Sequence, residues 1–369
     1  MKGYLLLLVL AAAVTYLATP LARRLAIATH AWTPVRSRDV HVIPTPRMGG
    51  VAMVIGLTVA LLIGSQMSFL GQALTEGNRL AGIIGSAWLV CLLGMADDIW
   101  DLDWMTKLAG QILVGGVLAY SGVQLVTFPI AGLTIGSSRL SLITTVLVVV
   151  AAMNAVNFVD GLDGLAAGMV GIGATAFFAY SYQLTRTVSP ENYASLATAV
   201  TAVLVGMCLG FLPFNFHPAK IFMGDAGAMV LGLTVAAATI IVTGTIDPAR
   251  VPATQAAPVF VPLLLPVAII LLPLLDMALA VVRRLRAGHS PFHADRMHLH
   301  HRLLDLGHSH RRAVLIMYLW TAVVAFSAAS LIIAPWPQVL AGTIIAVVIA
   351  LVLTRNWLRR APQPKDPIQ

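Results

Sequence analysis

The groups able to do chemistry in this chain appear abruptly at the ends of apolar stretches. Residues 140–159 carry no charge, and Asn157, Asp160 and Asp163 cluster at the end of that run with Gly161 and Gly164 among them. One carbonyl and two carboxylates at this spacing suit oxygen ligation of magnesium, or recognition of a hydroxyl. On a helix the two aspartates would share a face. The plainer use is capping, with Asp160 or Asp163 starting the next helix. Acids at the end of a membrane-length run are costly, however, and usually functional.

Three further polar patches end or join similar runs. Asp97 and Asp98 close one of them, and adjacent carboxylates can hold a hard cation or act as a base. A helix C-terminus disfavours negative charge, which weakens the alternative of incidental solvated acids. Lys107 begins the next run; alone it would be a snorkelling lysine, but beside the acids it can bind phosphate. In residues 215–227, Gly224 and Gly227 flank Asp225 just before an apolar run. Asp225 can be a simple N-cap, or the helix end can receive phosphate or a bridging metal. Seven of the ten histidines lie in residues 289–310, with His298, His300, His301 and Arg302 at the centre. No local zinc-protease spacing is present, and the interleaved arginines favour phosphate and nucleotide binding over a merely solvated basic loop. Asp276, inside an apolar run seven residues before Arg283, reads as half of an internal ion pair.

The elements that must hold these groups are membrane helices. The chain is 59% hydrophobic and only 10% charged, where a soluble domain is about a quarter charged. Apolar runs cover residues 3–22, 48–75, 80–96, 108–122, 140–159, 164–185, 192–213, 226–246, 258–282 and 313–354. The last is too long for one span and breaks at Pro335-Trp336-Pro337, giving eleven helices. The first run is expected to stay as a helix and not to be cleaved as a signal peptide. Eighteen Lys and Arg fall in one set of connections and five in the other. The positive-inside rule then puts the N-terminus outside and the C-terminus in the cytoplasm, as an odd helix count requires. Most aspartates fall on the same cytoplasmic side, so the four patches are expected to form one active site there.

The expected architecture is therefore an all-α polytopic membrane protein. Residues 1–360 form a single integral membrane domain and 361–369 a short disordered tail, with a short outside hairpin near residues 127–138. The net charge of +8 reflects topology and anionic lipid or phosphate, not nucleic acid. Cys91 and Cys208 lie inside apolar runs, which excludes a disulfide scaffold or a cysteine-based zinc site.

Taken in order, Met95-Ala96-Asp97-Asp98, residues 154–164, Ile221-Phe222-Met223-Gly224-Asp225 and Met297-His298-Leu299-His300-His301-Arg302-Leu303 resemble the polyprenyl-phosphate N-acetylhexosamine-1-phosphate transferase family. The form of the histidine stretch is similar to its WecA/TagO branch, which uses UDP-N-acetylglucosamine (UDP-GlcNAc). The wording of residues 38–50 resembles actinobacterial members, implying decaprenyl phosphate as acceptor and a product that primes arabinogalactan. The resemblance implies that Asn157 and Asp225 contact magnesium, with manganese a substitute, and that Lys107 contacts phosphate. Asp97 and Asp98 match the family's acid pair, and Asp160 and Asp163 its aspartates near the nucleotide. His298, His300, His301 and Arg302 match the loop that recognises the sugar phosphate. Membrane lipid is an expected partner, and a homodimer is allowed for.

The implied reaction is attack by a lipid phosphate oxygen on the β-phosphorus of UDP-GlcNAc, giving polyprenyl diphosphate-GlcNAc and UMP. A phosphate monoester has its second pKa near 6, so no general base is strictly required. The alternatives are the same chemistry on another UDP-sugar, such as UDP-MurNAc-pentapeptide, and a cation-coupled transporter. A transporter would place its acids at the bilayer midplane among repeats, and no repeat is visible.

Overall fold

The computed structural model describes residues 1–32, 44–126, 137–188, 194–245, 285 and 308–359. Among these, eleven α-helices account for the regular structure: α1 Lys2–Ala28, α2 Gly49–Ser65, α3 Gly71–Thr75, α4 Arg79–Trp100, α5 Trp104–Tyr120, α6 Ser138–Val159, α7 Leu165–Val188, α8 Leu196–Asn215, α9 Gly224–Thr245, α10 His310–Ser330 and α11 Trp336–Arg359. Eight of them are long and apolar enough to cross a membrane, and α2 is a shorter apolar helix. The chain is an all-helical polytopic membrane protein. The expected span at residues 258–282, Asp276, residues 127–136 of the expected hairpin and the tail from 361 lie outside the described residues; Ser137 and Ser138 belong to the start of α6.

Three runs end differently from their hydropathy. The run 48–75 splits into α2 and the five-residue α3, because uncharged residues 66–70 turn without interrupting the apolar count. Helix α1 continues through Arg23 and Arg24 to Ala28; long cationic side chains can reach a polar boundary while their backbone stays helical. Residues 313–354 divide, as their prolines suggest, between α10 and α11.

Helix α9 is the centre. Its apolar stretch is 100% buried, against 11% for that of α11. It packs against α4, α6, α8 and α2, while α1 joins α2 to α8 and α7 lies between α8 and α10. Small residues make this possible, since backbones approach closely where no Cβ intervenes. A Cβ on Gly50 would lie 2.7 Å from Gly227 Cα, one on Gly94 2.7 Å from Asp225 C, and one on Gly232 2.7 Å from Ala152 O. The N-terminus of α9 is thus held against the C-terminal ends of α4 and α6. Asp103 starts α5 as an N-cap, accepting from the Met105 and Thr106 N–H groups at 3.0 Å each, and the hydrogen bond from the Thr106 hydroxyl, helped by these amides, holds its carboxyl below the usual range. That cap turns Lys107, in the first turn of α5, back toward α4.

Candidate active site

Four helix ends meet where α4, α5, α6 and α9 converge. Lys107 Nζ lies 3.1 Å from Asp97 Oδ2 and is also paired with Asp225 Oδ2. Asn157 completes the group: with its amide oriented to satisfy both neighbours, its oxygen accepts from Lys107 Nζ at 3.2 Å and its nitrogen donates to Asp225 Oδ1 at 3.3 Å. Asp97 Oδ1 also accepts from the Leu102 N–H at 3.0 Å, which fixes the carboxylate's direction at the end of α4.

Asp98 faces away from that group and does a different job. It is buried, and its oxygens accept from the N–H groups of Asp225 at 3.1 Å and Ala226 at 3.4 Å. These are free donors of the first turn of α9, a natural seat for a carboxylate. Arg47 Nη1 stands 3.9 Å from Asp98 Oδ1. Backbone bonds hold the Arg47 segment in place: Phe222 N–H to Pro46 O at 2.9 Å, Gly49 N–H to Phe222 O at 3.0 Å and Gly50 N–H to Met223 O at 3.1 Å. Gly224 is left-handed, at φ +67°, and a Cβ there would lie 2.8 Å from Asp98 Cγ. Only glycine lets the carboxylate and the turn meet.

Asp160 and Asp163 are not on a helix. They occupy the turn between α6 and α7, and neither caps α7 through its carboxylate in the hydrogen bonds of the described residues. Asp160 is the C-cap of α6. Burial pushes its carboxyl up to about 7; Arg47 opposes the shift, and Asp98 and Asp163 add to it. Asp163 turns instead toward the α8–α9 loop. Its Oδ2 accepts from the Ala219 N–H at 3.1 Å and sits 2.8 Å from His217 Nδ1. Its own N–H donates to His310 Nε2 at 3.1 Å. The His217 and His310 rings stack with centroids 4.3 Å apart, and Arg311 Nε donates to the His217 carbonyl at 3.1 Å. Gly164, at φ +77°, completes the turn: its N–H donates to Asn215 Oδ1 at 3.1 Å, and its carbonyl accepts from the Tyr318 hydroxyl.

Asp163, His217 and His310 bring ligand atoms within 4.8 Å of one another, and hydrogen bonds already engage Asp163 Oδ2, His217 Nδ1 and His310 Nε2. His310 Nε2 takes the Asp163 N–H and His217 Nδ1 shares the Asp163 carboxylate, so the trio is a hydrogen-bonded lock. The fit for a hard cation is better at Asp97, Asn157 and Asp225. Their oxygens converge on Lys107 Nζ, so the structure already places a positive charge among hard donors.

The structure thus gathers Asp97, Asp98, Lys107, Asn157, Asp160, Asp163 and Asp225 at one end of the bundle. His298, His300, His301 and Arg302 lie outside the described residues. The end of that stretch is described: His310 joins the lock, and His308 is buried, which together with Arg312 lowers its pKa. Sequence reasoning did not single out Arg47, Asn215, His217, His310 or Tyr318. Asn215, His217 and His310 stood in segments already marked as polar, and Arg47 in the stretch 38–50 that carried part of the resemblance, but none was given a role of its own; Tyr318 carried no local signal.

Residues 80–243, which hold this cluster apart from Arg47 and the α10 residues, match the model of glycosyl transferase family 4. The chain is 45% identical to decaprenyl-phosphate N-acetylglucosaminephosphotransferase of Mycolicibacterium smegmatis, over 95% of this chain and 88% of the relative. The chain belongs to glycosyl transferase family 4. The protein of the same name from Mycobacterium tuberculosis is 43% identical over 97% of this chain and 90% of its own length. A relative of another name, phospho-N-acetylmuramoyl-pentapeptide-transferase of Symbiobacterium thermophilum, is 30% identical over 60% of this chain and 67% of its own. The family match begins at α4 and ends within α9, so it spans the four helix ends at which the family 4 cluster is built.

Proposed function

We propose that this chain is a decaprenyl-phosphate N-acetylglucosaminephosphotransferase. It transfers GlcNAc-1-phosphate from UDP-GlcNAc to decaprenyl phosphate, as a first membrane step of cell-wall polysaccharide synthesis. One phosphate oxygen of the lipid attacks the β-phosphorus, the bond from that phosphorus to the bridging oxygen breaks, and UMP leaves with the electron pair. The observation that carries the reading is the Asp97–Lys107–Asn157–Asp225 group at the meeting of four helix ends, in a chain similar over nearly its whole length to relatives so named.

Both substrates are anions, so repulsion is the first barrier. Lys107 supplies a fixed ammonium to phosphate oxygens, and Asp97 and Asp225 hold that ammonium in position. Magnesium, held by Asp225 with Asn157 and Asp97, would neutralise diphosphate charge as a Lewis acid. Asp98 seats the first turn of α9 and so fixes Asp225; it is a positioning residue. The Asp163–His217–His310 lock holds the turn that carries Asp160 beside the cluster. The histidine stretch, with His298, His300, His301 and Arg302, recognises the sugar phosphate of the donor. Eleven spans with the site on the cytoplasmic face fit the Lys and Arg distribution and the place where UDP-sugars are made.

The test is direct. Purified chain with decaprenyl phosphate, UDP-GlcNAc and Mg²⁺ should release UMP and form a lipid-linked GlcNAc, and EDTA should stop it. UDP-MurNAc-pentapeptide should not serve as donor. Full turnover in excess EDTA would reject the metal assignment, and turnover with the pentapeptide donor alone would reject the substrate.

A further inference from the structure

A cavity of about 650 Å³ opens at the end of α1, lined by Pro20, Arg23, Arg24, Trp32, Phe214 and Lys220 among others. None of Asp97, Asp98, Lys107, Asn157 and Asp225 lines it. Arg24 and Lys220 are exposed, and Arg23 is tied through Nε to the Lys220 carbonyl at 3.1 Å. Among the described residues no carboxylate balances these three charges, which repel each other and attract an anion.

The apolar lining, Pro20, Trp32, Pro44, Pro46 and Phe214, and the helix face next to it say what kind of anion. On either side of the lining Pro20 in α1, Leu17 and Leu21 are 71% and 62% exposed, the pattern of a helix face turned to hydrocarbon. The Tyr16 and Phe214 rings lie 4.9 Å apart beside them, and Trp32 stands at the cationic rim. Aromatic residues of this kind mark the level of lipid headgroups. A soluble phosphate would use the cations and leave the apolar wall idle. A phospholipid uses both, with its phosphate on the cations and a chain along α1.

We propose that this cavity is a binding site for an anionic phospholipid, separate from the site of the acceptor lipid. Basic pockets between membrane helices are suited to such headgroups. Occupancy would also bear on the candidate active site. The cavity's floor includes Ala219 and Lys220, and Ala219 donates its N–H to Asp163. The lipid would hold the α8–α9 loop at the residue whose N–H Asp163 accepts.

Native mass spectrometry of the delipidated full chain, titrated with dioleoyl phosphatidylglycerol, dioleoyl phosphatidylcholine or inorganic phosphate, tests this. One phosphatidylglycerol per chain should bind at least roughly ten-fold more tightly than phosphatidylcholine, and the Arg24→Gln/Lys220→Gln double variant should lose roughly twenty-fold in that affinity, about five-fold per cation. The Arg24→Lys/Lys220→Arg variant should keep it, which separates charge from folding. Equal binding of phosphatidylcholine, unchanged affinity in the Gln variant, or equal loss in the charge-conserving variant would overturn the proposal. Full displacement of the lipid by excess inorganic phosphate would reassign the cavity to a soluble phosphate.

Discussion

Gly224→Ala is the substitution whose consequence can be worked most fully from the structure. Gly224 sits at φ +67°, where an alanine is strained by roughly 1–2 kcal/mol. Its Cβ would also lie 2.8 Å from both Cγ and Oδ1 of Asp98. Asp98 must therefore move, and it holds the Asp225 and Ala226 N–H groups at 3.1 and 3.4 Å. A hydrogen bond to a charged group contributes about 1.5–3 kcal/mol. Losing one of the two, added to the backbone strain, gives roughly 2.5–5 kcal/mol. The damage is directed, because Asp225 belongs to the displaced turn. Turnover should fall by roughly two orders of magnitude, with a lower melting temperature. Gly85→Ala is the control: it lies in the same helix as Asp98, with nothing within 4 Å of its Cβ, and should leave both readings near wild type. The assay is UMP release with a parallel thermal melt in detergent. Wild-type turnover and melting in Gly224→Ala would refute the assignment of Asp98 as the seat of α9.

Other substitutions separate the roles of neighbouring groups. Lys107→Ala leaves Asp97 and Asp225 facing each other without their shared cation, and should cut turnover by roughly ten- to a hundred-fold, about 1.5–3 kcal/mol; unchanged kcat/KM for both substrates would count against it. Tyr318→Phe removes only the hydroxyl that the Gly164 carbonyl accepts, so a loss of about 0.5–1.5 kcal/mol should show in the melt with turnover changed less than roughly five-fold. Asp160 has a folded pKa raised from 3.8 to about 7, mainly by burial. The folded state holds that proton more tightly than the unfolded one, so stability falls as pH rises from about 4 to about 7 and is level above that. Melts in EDTA should show this slope in wild type and a reduced slope in Asp160→Asn; equal slopes would place the titration elsewhere. His300→Ala and His301→Ala should raise KM for UDP-GlcNAc and spare the lipid acceptor, measured by titrating each substrate in turn.

What the sequence revealed and what it hid follow from the range of the interactions. Apolar run length is a local property, so the helices and the split at Pro335 could be read directly. The acids could be read because a carboxylate beside a membrane-length run is locally anomalous. Their division of labour could not. Adjacent in sequence, Asp97 and Asp98 point to different partners, one to Lys107 and the other to amides on α9. Spacing suggested a shared face for Asp160 and Asp163, whereas the Gly164 turn sends Asp163 to His217 and His310. Arg47 was hidden for the same reason, since its partner lies fifty-one positions away. The break between α2 and α3 escaped because residues 66–70 are uncharged.

The burial of α9 imposes an order on biogenesis. Ribosomes deliver α4, α5 and α6 to the membrane well before residue 224 emerges, so these helices are present without the element that fills the space between them. Until then Asp98 lacks its two amide partners, and Lys107 lacks Asp225. The slot must stay open, or reopen, to admit a helix whose apolar stretch ends with no face left to lipid. A nascent chain therefore lacks Asp225 and the first turn of α9 until that helix docks, and the same event fills the centre of the bundle and completes the Asp97–Lys107–Asn157–Asp225 group. A chain in which α9 fails to enter leaves Asp98 without its amides and Lys107 without Asp225 at the end of a membrane bundle.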